Sequence, residues 1–132
     1  MTPETILTDL RNALLELHKV LLESERALYE RDIAKIHSPG QMLGLLMEDP
    51  WFAYLRDLSR LVADIDERID DKKRPVEQPD AVVFLSRARA LITPAEHGQG
   101  FERRYFEAMQ RDPAVVLGHA AAARVINALR AA

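Results

Sequence analysis

The chain has 132 residues, of which 48% are hydrophobic and 30% charged, and its formal net charge is −3. These values fit one globular domain, and they argue against disorder, a second domain and a strongly basic nucleic-acid surface. The absence of cysteine excludes disulfides, thiolate nucleophiles and cysteine-based zinc sites. The first residues lack a basic segment followed by an unbroken apolar run, so we expect no signal peptide and a cytoplasmic protein.

The first predicted element is a long amphipathic helix over residues 3–36. Thr2 supplies a helix cap, and Pro3 suits the first helical position. Ser24 and Arg31 interrupt the apolar stripe, so we expect its second half to be less buried or to face a polar partner. The stripe recurs at spacings of three and four, as in a bundle helix, and consists of Leu7, Leu10, Leu14, Leu17, Leu21 and Leu28.

Two further helix starts follow closely. Ser38 precedes Pro39 and Asp49 precedes Pro50, and each pair places a capping side chain before a proline. The predicted helices are a short one over residues 39–49 and a second long one over residues 50–70. Because the connection between the two long helices is short, we expect them to pack antiparallel.

Aromatic and methionine side chains gather around the second of these starts, and two interpretations apply to them. Their helical spacing favours a cap that closes one end of the bundle. The alternative is an adaptable recognition surface, because methionine repacks easily and tryptophan and tyrosine are good anchors. The candidate surface consists of Met42, Met47, Trp51, Phe52 and Tyr54.

The remainder of the chain continues the helical pattern. A solvated linker over residues 71–79 is followed by helices predicted at 79–92, 100–111 and 113–130. The last of these is apolar on nearly every face, which is typical of a central or paired helix. Polar residues His119, Arg124 and Asn127 argue against a membrane span. The predicted fold is all-α, a single-domain bundle built on two long antiparallel helices plus several shorter ones.

Histidines and acidic residues are the candidates for a metal or ligand site. None of the four histidines has the helical spacing that places two ligands on one face, so structural or solvated roles are favoured. The alternative is a helical-bundle binder of a small ligand or metal that uses His18 and His119. The acidic run from Asp64 to Asp71 fits a solvated helix face better than a cation site.

Catalysis and nucleic-acid binding find little support in the sequence. No serine lies in a Gly-x-Ser-x-Gly turn, and the segment Gly98 to Gly100 lacks the third glycine of a phosphate loop. The basic clusters are short and lie on three different elements, so a DNA-associated regulator is the weaker alternative. They are Lys72 to Arg74, Arg87 with Arg89, and Arg103 with Arg104.

The run HSPGQMLGLLMEDPWFAYLRDLSRLVADIDE, residues 37–67, resembles a segment of an uncharacterised family of small all-helical bacterial proteins. The resemblance implies a bacterial origin and an all-helical fold, and it implies no activity and no site residues.

From the residues themselves we predict a non-catalytic protein-interaction or dimerisation module without a cofactor. A long first helix and an all-round apolar final helix favour a homodimer, with an unidentified protein as a further partner.

Overall fold

The computed structural model describes residues 1–129, which form six α-helices and no strand. The predicted all-α class is confirmed. The helices are α1 (Pro3–Asp32), α2 (Pro39–Glu48), α3 (Leu55–Asp70), α4 (Gln78–Leu91), α5 (Phe101–Arg111) and α6 (Pro113–Ala128). The predicted end of the last helix at residue 130 lies outside the described residues.

Helix starts follow the cap and proline pairs of the sequence. Thr2 accepts a hydrogen bond from the Thr5 backbone N–H at 3.1 Å, and Ser38 does the same for Gln41 at 3.0 Å. At the start of α6, Asp112 accepts from the Ala114 N–H at 2.9 Å. Each bond satisfies an N–H group that the first helical turn leaves without a partner.

The end of the first helix and the start of the second long helix differ from the prediction. Helix α1 ends at Asp32 and not at residue 36, because the chain turns so that Ile36 becomes buried and its N–H bonds to the Glu30 carboxylate at 3.2 Å. The predicted helix over residues 50–70 is also divided. Asp49 caps the Trp51 N–H at 2.8 Å in a tight 3₁₀ turn over Pro50–Phe52, and α3 begins only after it.

Helix α1 lies at the centre of the bundle and packs against α3, α4 and α6. Its contacts with α3 proceed in opposite directions along the two helices: Arg11 pairs with Asp66, and His18 with Ser59. The two long elements are therefore antiparallel, as predicted. Its fully buried side chains form the core stripe and are Ile6, Leu7, Leu10, Leu14, Leu17 and Leu21.

Helix α6 also runs antiparallel to α1, since Arg111, just before α6, contacts Glu25 while Gly118 lies against Val20. A Cβ added at Gly118 would come within 3.2 Å of the Val20 side chain, so this glycine permits the close approach of the two helices. Within residues 1–129, no helix combines the length and the apolar character needed to cross a bilayer.

Candidate functional site

A buried carboxylate lies where α1, the 3₁₀ turn and α5 meet. Glu25 is completely shielded from solvent, although it lies on the central helix between polar neighbours in sequence. Its Oε2 accepts a hydrogen bond from the Trp51 indole at 3.0 Å, and its Oε1 accepts from the Tyr54 hydroxyl at 2.8 Å. Arg111 donates to the same Oε1 at 3.0 Å and to the Ser24 hydroxyl at 3.3 Å. We call Glu25, Trp51, Tyr54 and Arg111 the junction.

The junction satisfies the requirements of a buried charge. A carboxylate away from water must be neutralised and hydrogen-bonded, and Arg111 provides the opposite charge while Trp51 and Tyr54 provide neutral donors. Burial, followed by the nearby Glu25 charge, raises the pKa of Tyr54 well above its usual range, so its hydroxyl remains a donor. The guanidinium of Arg104 stacks 4.9 Å above the Tyr54 ring. Every oxygen of Glu25 is thus already occupied within the protein.

The candidate surface predicted from the sequence is divided between the core and the exterior. Met42, Phe52 and Tyr54 are buried, and Trp51 is half-buried with its indole N–H directed at Glu25. Only Met47 is exposed, at 66%. The burial of three of the five side chains favours the interpretation as a bundle cap.

Sequence reasoning missed two members of the junction. Ser24 was identified as a polar break in the apolar stripe, but Glu25 beside it and Arg111 were not identified. The polar break at Ser24 was the available signal, because a polar side chain in a buried stripe requires a hydrogen-bonding partner.

The two histidines of the predicted ligand site are not brought into one set of ligands. His18 Nε2 lies 2.8 Å from the Ser59 hydroxyl on α3, whereas His119 Nδ1 lies 2.5 Å from the Tyr105 hydroxyl on α5. Burial lowers the pKa of both histidines, so the neutral form is favoured. Among residues 1–129, no group of three or more histidine, aspartate or glutamate side chains is arranged to hold a metal ion.

The Ser59 and His18 pair has the distance of a nucleophile and a base, but it lacks the other parts of a catalytic site. Ser59 also donates its hydroxyl proton to the Leu55 carbonyl at 3.1 Å. When it does so, its oxygen accepts the hydrogen bond from His18, and the single hydroxyl proton is not directed at the histidine. Ser59 lies inside a regular helix, where the neighbouring backbone N–H groups are engaged and cannot form an oxyanion hole. The pair acts as a polar contact between α1 and α3.

Several charges of the acidic run and of the basic clusters form ion pairs within the protein. Asp64 binds Arg87 at 2.9 Å, and Asp66 binds Arg11 at the same distance. Arg103 and Arg104 both approach Glu107. Paired arginines offer less charge to a nucleic-acid backbone than free ones.

An open cleft of about 510 Å³ lies between α3, α4 and the start of α5. Its lining combines charged and apolar groups and contains no serine, threonine, histidine or lysine. The lining residues are Asp57, Arg60, Leu61, Arg87, Ala90, Leu91, Gln99, Gly100, Phe101 and Glu102.

The outer face of α6 is apolar and exposed. Leu117 is 71% exposed and Val125 39%, and both lie away from the buried positions Val115, Ala122 and Ile126. At 100° per residue, five exposed positions fall within about 80° of the helix circumference. We call them the α6 stripe: Ala114, Leu117, Ala121, Val125 and Ala128.

No protein-family model matches the sequence, no curated protein is significantly similar to it, and no solved structure matches its fold. The chain therefore stands as a small all-helical protein whose function must be argued from its own side chains.

Proposed function

We propose that this protein is a non-catalytic association module that forms a homodimer through the α6 stripe. The observation that supports the proposal is the 71% exposure of Leu117 in the middle of an apolar helix face. Single exposed leucines are ordinary, but a continuous stripe over four helical turns without an acidic residue is typical of an interaction site.

The rest of the fold supports an association role better than a catalytic one. In the junction, both carboxylate oxygens of Glu25 accept hydrogen bonds from within the protein. The stripe, in contrast, has no covering element within residues 1–129. It is a single helix face about 21 Å long, from residue 114 to residue 128, so the area that it can bury is small and we expect dissociation in the micromolar range.

The cytoplasmic location and the bacterial family resemblance of residues 37–67 belong to the same proposal. A cysteine-free chain suits a reducing compartment. An unidentified protein partner remains compatible with a dimer, because the exposed Leu43 and Met47 on α2 lie outside the α6 stripe.

The test replaces Leu117 by glutamate and measures the mass by sedimentation velocity at increasing protein concentration. A charge at the centre of an apolar contact must be desolvated, so we expect the dissociation constant to increase at least tenfold. Val83→Glu on α4 is the matched control, since Val83 is also an exposed apolar helix residue, at 55%. Equal masses for the Leu117→Glu variant and the unmodified chain at every concentration would contradict the proposal.

A further inference from the structure

The α6 stripe is symmetric about Ala121. Its members lie seven and four residues before Ala121 and four and seven residues after it, in the order alanine, leucine, alanine, valine, alanine. A homodimer interface with a two-fold axis requires such self-complementarity, because residue i of one copy contacts residue j of the other and the reverse holds as well.

We propose that two copies of the chain pair through α6 in an antiparallel arrangement with the two-fold axis at Ala121. This inference rests on the proposed function and specifies its geometry. Ala121 then faces Ala121 of the second copy, and Leu117 faces Val125. Ala114 faces Ala128. Alternating small and large side chains let the two helix backbones approach to about 8 Å while the large side chains fill the space between the alanines.

The helix dipoles separate the antiparallel arrangement from a parallel one. In a parallel pair the two positive N-terminal ends of α6 lie side by side, and so do the two negative C-terminal ends. In the antiparallel pair each N-terminal end lies beside the C-terminal end of the other copy, and this arrangement of the two dipoles is favourable.

The cysteine-free sequence allows a direct test by single cysteine substitutions followed by mild oxidation. A disulfide forms only where the two Cα atoms lie within about 7 Å. We expect Ala121→Cys to give a covalent dimer when used alone. Ala114→Cys and Ala128→Cys should each remain uncoupled alone and should couple when mixed. Ala63→Cys, at an exposed position on α3, measures the background of random collisions.

Sedimentation of the same variants under reducing conditions separates the two levels of the proposal. A dimer whose three α6 variants all couple alone is parallel, and it would overturn the antiparallel geometry while leaving the association module intact. A dimer without coupling above the Ala63→Cys background would place the interface elsewhere, which overturns both the geometry and the role of the stripe. Chains that stay monomeric at high micromolar concentration would overturn both proposals, and only a different protein could then be the partner of the stripe.

Discussion

The carboxylate of Glu25 and the guanidinium of Arg111 meet at 3.0 Å, although 86 residues separate them in the sequence. The contact joins the central helix to the last residue of α5, two residues before the start of α6, and it therefore fixes where α6 begins. Glu25 also follows Arg11 and His18 at intervals of seven residues, and all three bind side chains of α3 or of the segment just before it. Polar contacts at heptad spacing thus set the register of α1 against its antiparallel neighbour.

Removal of the Glu25 carboxylate should strongly destabilise the fold. In Glu25→Ala, Arg111 and the two neutral donors lose their shared acceptor, and we expect a loss of about 3 kcal/mol in the free energy of unfolding. Urea denaturation monitored by circular dichroism measures it. Glu23→Ala, at an exposed position of the same helix, should change the stability by less than about 0.5 kcal/mol. Similar values for the two variants would show that the junction contributes nothing.

Tyr54→Phe tests one donor of the junction separately. The substitution removes the hydroxyl that donates to Glu25 while the ring remains packed, so we expect a loss of about 1 to 2 kcal/mol. The fluorescence of Trp51, the only tryptophan, reports on the unfolding of this region. Tyr29→Phe is the control, because Tyr29 packs on Trp51 and Phe52 through its ring and should tolerate the change. A loss in Tyr54→Phe no larger than that of the control would contradict this role of the hydroxyl.

Burial of His18 predicts a specific pH dependence of stability. Its folded pKa is lowered from the ordinary value of 6.5, so the unfolded chain binds more protons as the pH falls through that value. Stability is therefore expected to be highest above this pH and to decrease between the unfolded and the folded pKa. His18→Gln should reduce the slope near pH 6, whereas His37→Gln, at an exposed position, should preserve it. Denaturant titrations from pH 5 to pH 8 provide the comparison, and equal slopes in the two variants would rule out His18 as the source.

Two glycines within helices should respond differently to the same change. An added Cβ meets nothing within 4 Å at Gly44, so Gly44→Ala should stabilise by about 0.5 to 1 kcal/mol through helix propensity. In Gly118→Ala the new Cβ comes within 3.2 Å of Val20, and the packing strain should cancel or reverse this gain. Thermal unfolding of both variants tests the difference. An equal gain at both positions would mean that α1 and α6 are not held closely together.

Local chemistry was sufficient to predict much of the fold. Capping side chains before Pro3 and Pro39 marked two helix starts correctly, because a cap and a proline act within a single turn. The apolar spacing of the first helix also identified its buried stripe, except that Leu28 is only half-buried. The end of α1 and the tight turn after Pro50 were predicted incorrectly, since both depend on how Ile36 and Trp51 pack against distant residues.

The junction could not be predicted from the sequence for a related reason. A glutamate on a helix is normally solvated, and only the three-dimensional position of Arg111 makes its burial favourable. That α6 exposes an apolar face was partly predictable, because the last helix is apolar on nearly every side. Which of its faces the bundle covers depends on the contacts of Gly118 with α1 and of His119 with α5.

The most direct test of the central claim is the solution mass of the unmodified chain measured by native mass spectrometry and sedimentation from low to high micromolar concentration. Association through α6 predicts a reversible change from the monomer mass to twice that mass over this range, without any added small molecule. A constant monomer mass up to the highest concentration would contradict it.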